Sequence, residues 1–140
     1  MTKYSIFIFR RDLRIYDNTG LNYAMSNYDN IIPVFIFTPE QISSKNKFKS
    51  DNAIQFMIES LKELDDDLKQ NSSKLHIFQG DNIKVLKTII KAIDVENIIF
   101  NMDYTPYAIK RDKEIEKLCE GNKINCIIKE DYLLKPIGTF

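Results

Sequence analysis

The sequence predicts an α/β protein: a Rossmann-like open sheet of five parallel strands with helices on both faces. Three observations predict it. Five short apolar runs, rich in β-branched and aromatic residues, alternate with segments of helical period. Most of the runs are continuously apolar, as expected of strands covered on both faces. The resulting order β-α-β-α-β-α-β-α-β calls for right-handed crossovers and therefore a parallel sheet.

The strands are expected at Tyr4–Phe9, Ile31–Phe37, Lys74–Phe78, Asn97–Asn101 and Ile124–Ile128. Asp17 or Asn18 supplies an N-cap for a short first helix ending near Asn27, since both side chains can accept from free helix N–H groups. Ser50 caps a second helix whose Ile54, Met57, Ile58, Leu61, Leu64 and Leu68 fall on one stripe. Asp81, after Gly80, caps a third, with Ile83, Leu86, Ile89, Ile90 and Ile93 facing inward. Thr105 followed by Pro106 starts a fourth, because proline suits the first helical turn; it stops at Gly121-Asn122. Residues 38–49 read as an exposed loop.

At 140 residues the chain suits one domain with a real core, and no internal boundary is visible. Apolar residues make up 44% and charged residues 29%, as in a soluble globular protein. With 20 Lys+Arg against 20 Asp+Glu, bulk charge gives no reason to expect nucleic-acid or membrane binding. No apolar span reaches membrane length, and the N-terminus lacks the pattern of a signal peptide. An intracellular location, cytoplasm or nucleus, is expected, with Cys119 and Cys126 reduced. One histidine and no CxxC argue against a metal site. His76, between Leu75 and Ile77, reads as a satisfied strand histidine.

Arg10–Asp17 places three arginines and two aspartates directly after the first strand. An ordinary strand-to-helix turn does not need five charges. If the strands order 3-2-1-4-5, the crevice between strands one and four is where ligands bind such sheets, beyond the carboxyl ends. Arg10–Asp17 and Asn101–Asp112 then meet there. The arginines suit bidentate binding of a phosphate or carboxylate, but an ion-pair network or interdomain contact is the favoured reading of them. Asp103, Tyr104 and Tyr107 can line a flat aromatic ligand or simply cap and flank a helix. No GxGxxG, P-loop, GxSxG elbow or Cys/His pair is present, so no self-sufficient catalytic centre is expected.

FRRDLRIYDNTGL (Phe9–Leu21), PVFIFTP (Pro33–Pro39), QGD (Gln79–Asp81) and NMDYTPYAIKRD (Asn101–Asp112) appear in order along nearly the whole chain. Together they resemble the N-terminal α/β domain of the DNA photolyase/cryptochrome family. The resemblance implies that residues 1–130 are this domain and that 131–140 begin the linker to a helical domain. That second domain would hold FAD, the DNA-lesion pocket and the electron-relaying tryptophans. This chain has no tryptophan. It is therefore expected to be a fragment or one piece of a split protein, which alone neither binds FAD nor repairs DNA. Its expected partner is the FAD-binding helical domain, in cis or as a separate chain, with DNA reached only through that domain.

The family's α/β domain often carries an antenna chromophore. The folate-type pattern has Asn-Glu where this chain has Tyr107 and Ala108. The deazaflavin-type pattern matches at Arg11, at Phe35, Ile36, Phe37 and Thr38, and at Asp103, with Thr105 in place of a glutamate. The resemblance thus points to a flavin- or deazaflavin-like antenna or to a vacant pocket, and assigns Arg10, Arg14, Asp17, Arg111 and Asp112 to interdomain docking. The rival reading is a free-standing nucleotide- or flavin-binding or docking module without photochemistry.

Overall fold

In the computed structural model the described residues are 2–10, 13–15, 18–37, 51–71 and 73–130, with the backbone alone described at 51–54 and 56. The expected alternation is observed: β1 (Tyr4–Phe9), α1 (Thr19–Asn27), β2 (Ile31–Phe37), α2 (Asp51–Gln70), β3 (His76–Gln79), α3 (Asn82–Ala92), β4 (Val95–Asn101), α4 (Pro106–Gly121) and β5 (Asn125–Lys129). All four strand pairings are parallel, and the order is β3-β2-β1-β4-β5. The central strand β1 is buried from Ser5 to Phe9.

Alternation along the strands divides the interior in two. Ile6, Ile8, Val34, Ile36, Ile98 and Phe100 face α3 and α4, where Leu86, Ile89, Ile115 and Cys119 meet them. Phe7, Phe9, Phe35 and Ile99 face α1 and α2, packing on Leu21, Ala24, Leu61, Leu64 and Leu68. Each sheet face thus has its own cluster, which is why the central strands are apolar on both sides.

The caps follow the chemistry of their side chains. Asn18 accepts from the Leu21 N–H at 3.1 Å, Asp81 from those of Ile83 and Lys84, and Thr105 from that of Ala108 at 3.1 Å. Asp17 and Ser50, the other expected caps, and the 38–49 loop lie outside the described residues.

Several expectations are corrected. Strand three begins at His76, not Lys74, because the Leu75 N–H is taken by Asp65 Oδ1 at 3.0 Å instead of joining the ladder. Strand four starts earlier, at Val95, which pairs with Tyr4 before a register shift. Strand five starts at Asn125, since the Ile124 N–H caps α4 by donating to the Cys119 carbonyl at 2.9 Å. Ile58 leaves the α2 stripe and is 36% exposed. His76 and Ile77 are exposed on the outer strand rather than covered on both faces. No helix among the described residues is long and apolar enough to cross a membrane.

Candidate functional site

The strand order puts the topological switch between β1 and β4, and such sheets bind ligands in the crevice beyond the carboxyl ends of those strands. Two sets of contacts build its walls, one on each face of the sheet.

On the α1 face, Asn101 ends β4 with its side chain buried at 5% exposure, and Asn18 is fully buried. The Asn101 amide donates to Asn18 Oδ1 at 2.7 Å, while its own Oδ1 accepts the Gly20 N–H at 2.8 Å. Asn18 Nδ2 donates onward to the Arg14 carbonyl at 3.0 Å. The two amides therefore stitch the end of β4 to the start of α1. Buried amides are tolerated because they are hydrogen-bonded to each other and to the backbone. Gly20 is required by close approach: a Cβ there would stand 2.6 Å from Asn101 Oδ1 and 2.8 Å from the Phe7 ring.

On the α4 face, Arg10 leaves β1 and turns toward α4. Its Nη1 lies 2.7 Å from Asp112 Oδ1, with the side chains only 12% and 8% exposed. Arg111 Nε donates to the same oxygen at 3.3 Å. The Arg10 guanidinium also stacks over the buried Phe100 ring, 4.1 Å from its centroid. Two guanidinium groups thus share one carboxylate oxygen at the end of β1. A buried cation is tolerated where it is paired and its charge faces an aromatic π cloud.

The lip follows from the α4 start. Asp103 Oδ1 accepts the Thr105 N–H at 3.4 Å, forming a small turn that precedes the Thr105 cap. Tyr104 and Tyr107 are 44% and 49% exposed there. The Arg111 guanidinium lies 5.6 Å from the Tyr107 ring centroid, and Tyr104 donates to Glu130 Oε1 at 3.4 Å. On the β5 side, Lys129 Nζ lies 4.1 Å above the Tyr23 ring, joining β5 to α1.

The residues anticipated from sequence separate into distinct groups. Arg10, Arg111 and Asp112 come together as one buried cluster. Arg14 is half-buried beside the Asn18 tie. Asp103 and Thr105 sit at the lip. Phe35 and Ile36 are buried, one in each core cluster, so their side chains serve packing. Phe37 is half-buried, and its carbonyl accepts the Gly80 N–H at 2.8 Å. Arg11, Asp17 and Thr38 lie outside the described residues. Sequence reasoning missed the Asn18–Asn101–Gly20 tie and the Phe100 platform.

Comparison with known proteins gives one consistent picture. A family model described as DNA photolyase matches residues 5–140. An archaeal photolyase from Sulfolobus tokodaii, solved with two FAD molecules with the implication of a novel light-harvesting cofactor, is 50% identical with a TM-score of 0.87. That match covers 98% of this chain and 31% of the archaeal one. Cryptochrome-1 of Aedes aegypti is 30% identical over 96% of this chain and 25% of its own length. A (6-4) DNA photolyase of Arabidopsis thaliana is 33% identical over 80% of this chain and 21% of its own. A Synechocystis cryptochrome, 20% identical with a TM-score of 0.86, shares the fold. The chain thus spans less than a third of the length of each of these relatives.

Proposed function

This chain belongs to the DNA photolyase family as its N-terminal α/β domain, and from that membership we propose that it serves as the antenna-type part of a light-driven DNA-repair protein. In this reading it holds a flavin-type chromophore at the β1/β4 crevice and hands excitation energy to FAD in a helical partner domain. Splitting of pyrimidine dimers belongs to the two domains together, and this chain alone is inactive. Energy transfer requires position and orientation rather than acid–base groups. The crevice agrees with that need, being built from structural amides, a buried ion cluster and exposed phenols.

The observation that carries the reading is the 50% identity, along nearly the whole chain, to the photolyase solved with two FAD molecules. The local residues fit a flavin. Tyr104 and Tyr107 offer exposed aromatic faces for an isoalloxazine ring. Arg10 and Arg111, gathered at Asp112, bring the guanidinium chemistry that suits a phosphate-bearing ligand. Arg14, beside the crevice, is assigned to docking the helical domain. Arg14→Ala should weaken that association while changing the stability of this domain by less than about 1 kcal/mol, as for a partly exposed charge.

The test is an equilibrium titration of the chain with FAD and with FMN, followed by fluorescence anisotropy; FAD bound here would be an antenna flavin, a departure from the expectation that this chain alone binds no FAD. Saturable one-to-one binding is expected, and Tyr107→Ala should weaken it by about 2- to 12-fold, the value of one aromatic contact. Absence of saturable binding by either flavin would remove the antenna reading and leave a docking module of the same fold.

A further inference from the structure

The α1/α2 face of the sheet is unevenly covered. Helix α1 has nine residues against twenty in α2, and β3 pairs with β2 only from Val34 onward. The first residues of β2 therefore have β1 on one side and no strand among the described residues on the other. By strand alternation Ile31 and Pro33 side with Phe35, which belongs to the α1/α2 cluster. Both line a cavity of about 400 Å³ that lies between α1 and the end of α2. That volume falls within the range of small-molecule sites.

The lining is of two kinds. Leu21 and Met25, one turn apart on α1, and Leu68 near the end of α2 supply apolar walls. Met25 is 59% exposed, the most of any large apolar side chain among the described residues. A flexible thioether at such a place suits contact with an aromatic ring. The polar lining includes Asp29 and Asn71. Asn71 Nδ2 already donates to the Asp67 carbonyl at 2.9 Å, which leaves its Oδ1 as an acceptor. Asp29 follows α1 and forms no ion pair among the described residues; Lys3 lies with it in an adjoining hollow without pairing to it. No lysine, arginine or histidine among the described residues lines the cavity.

We propose that this cavity is a binding site for a planar aromatic amine without a phosphate, its ring against Leu21, Met25 and Leu68 and its amino group donating to Asp29. The lining selects among ligand chemistries. A wholly apolar ligand would strip water from the Asp29 carboxylate without replacing its hydrogen bonds. An anion would meet that carboxylate with no cation to offset it. An amine satisfies the acceptors while its ring covers the apolar walls. The site is also distinct from the crevice between β1 and β4. Asp29 and Ile31 stand at the amino end of β2, whereas the guanidinium groups of Arg10 and Arg111 gather at the carboxyl ends.

The probe is proflavine, a planar cationic diaminoacridine whose fluorescence reports its binding. It is titrated with the full chain at about 0.15 M salt, where a Debye length of about 8 Å screens attraction to remote carboxylates. Saturable one-to-one binding is expected. Asp29→Asn should weaken it by about 2- to 12-fold, the value of one hydrogen bond. Asp66→Asn, on the exposed side of α2, should leave it unchanged. In spectra of labelled methyl groups, Leu21, Met25, Ile31 and Leu68 should shift, while Ile98 and Ile115 in the opposite cluster stay in place. FMN should move none of those four. The proposal is overturned if binding does not saturate, or if Asp66→Asn costs as much as Asp29→Asn. It is equally overturned if the shifts gather at Met102 and Ile109 near the start of α4, or if FMN shifts the same four methyl groups. None of these outcomes depends on whether the crevice holds a flavin.

Discussion

Gly20→Ala puts the greatest strain on the crevice for the smallest change in chemistry. The added Cβ would lie 2.6 Å from Asn101 Oδ1 and 2.8 Å from Phe7 Cε1, inside any real carbon contact. Phe7, on β1, is fully buried against the helices of that sheet face and has no room to retreat. Asn101 can move only by giving up the Gly20 N–H at 2.8 Å and the Asn18 oxygen at 2.7 Å. Overpacking of this kind costs about 1–3 kcal/mol. A buried donor or acceptor left unpaired adds about 1–3 kcal/mol. Alanine returns about 0.5–1 kcal/mol through lower chain entropy in a helix. The net loss is expected at roughly 1–5 kcal/mol, read by urea unfolding as a lower midpoint with unchanged slope. Asn101→Ala in the same chain should remove the closer of the two clashes, so the double variant should lose less than the two single losses added together. If Gly20→Ala is as stable as the parent within about 0.5 kcal/mol, the tie between α1 and β4 is soft and the crevice floor has been misread.

Three other perturbations test separate parts of the molecule. Leu61 is 3% exposed on the inner face of α2, so Leu61→Ala should cost roughly 2–5 kcal/mol by denaturant unfolding. Asp112→Asn removes the charge opposite Arg10 and Arg111, and thermal melts should record a loss approaching the roughly 3–5 kcal/mol of a broken buried pair. Asp65 has its acidity strengthened, chiefly by the Leu75 N–H and then by Lys69 at 3.1 Å, so its folded pKa lies below the unfolded value. Its contribution is therefore present above about pH 4 and fades as pH falls through the folded pKa. The stability gap between the parent and Asp65→Asn should shrink on acidification below that point.

Much of this architecture is legible in the sequence because burial on both sheet faces forces continuous apolar runs. Tyr4–Phe9 and Ile31–Phe37 match the observed strands to the residue for that reason. Asp81 and Thr105 were readable as caps because a short polar side chain before an amphipathic run has few other uses. Two of the boundaries that moved did so through single hydrogen bonds. Asp65 reached across ten positions to take the Leu75 N–H, and the Cys119 carbonyl claimed that of Ile124. The meeting of Arg10 with Asp112 followed from strand order plus two charged strand exits. The Asn18–Asn101 tie did not, because an asparagine at a strand end and another at a helix start carry no sign that they face each other. Phe35 and Ile36, assigned to a chromophore by resemblance, have side chains committed to the two cores. A motif marks where the chain passes a ligand without saying which atoms turn toward it.

The central claim is that a flavin sits beyond the carboxyl ends of β1 and β4. Amide hydrogen exchange of the chain with and without saturating FAD tests it most directly, because it reports place as well as binding. Protection is predicted in the segments around 10–20 and 101–108, where the Asn18 tie, the Tyr104 lip and the α4 start converge. The turns at the opposite ends of the strands, 28–30 and 93–95, should exchange as before. Protection centred on those opposite turns, or none at all at saturating flavin, would contradict the account.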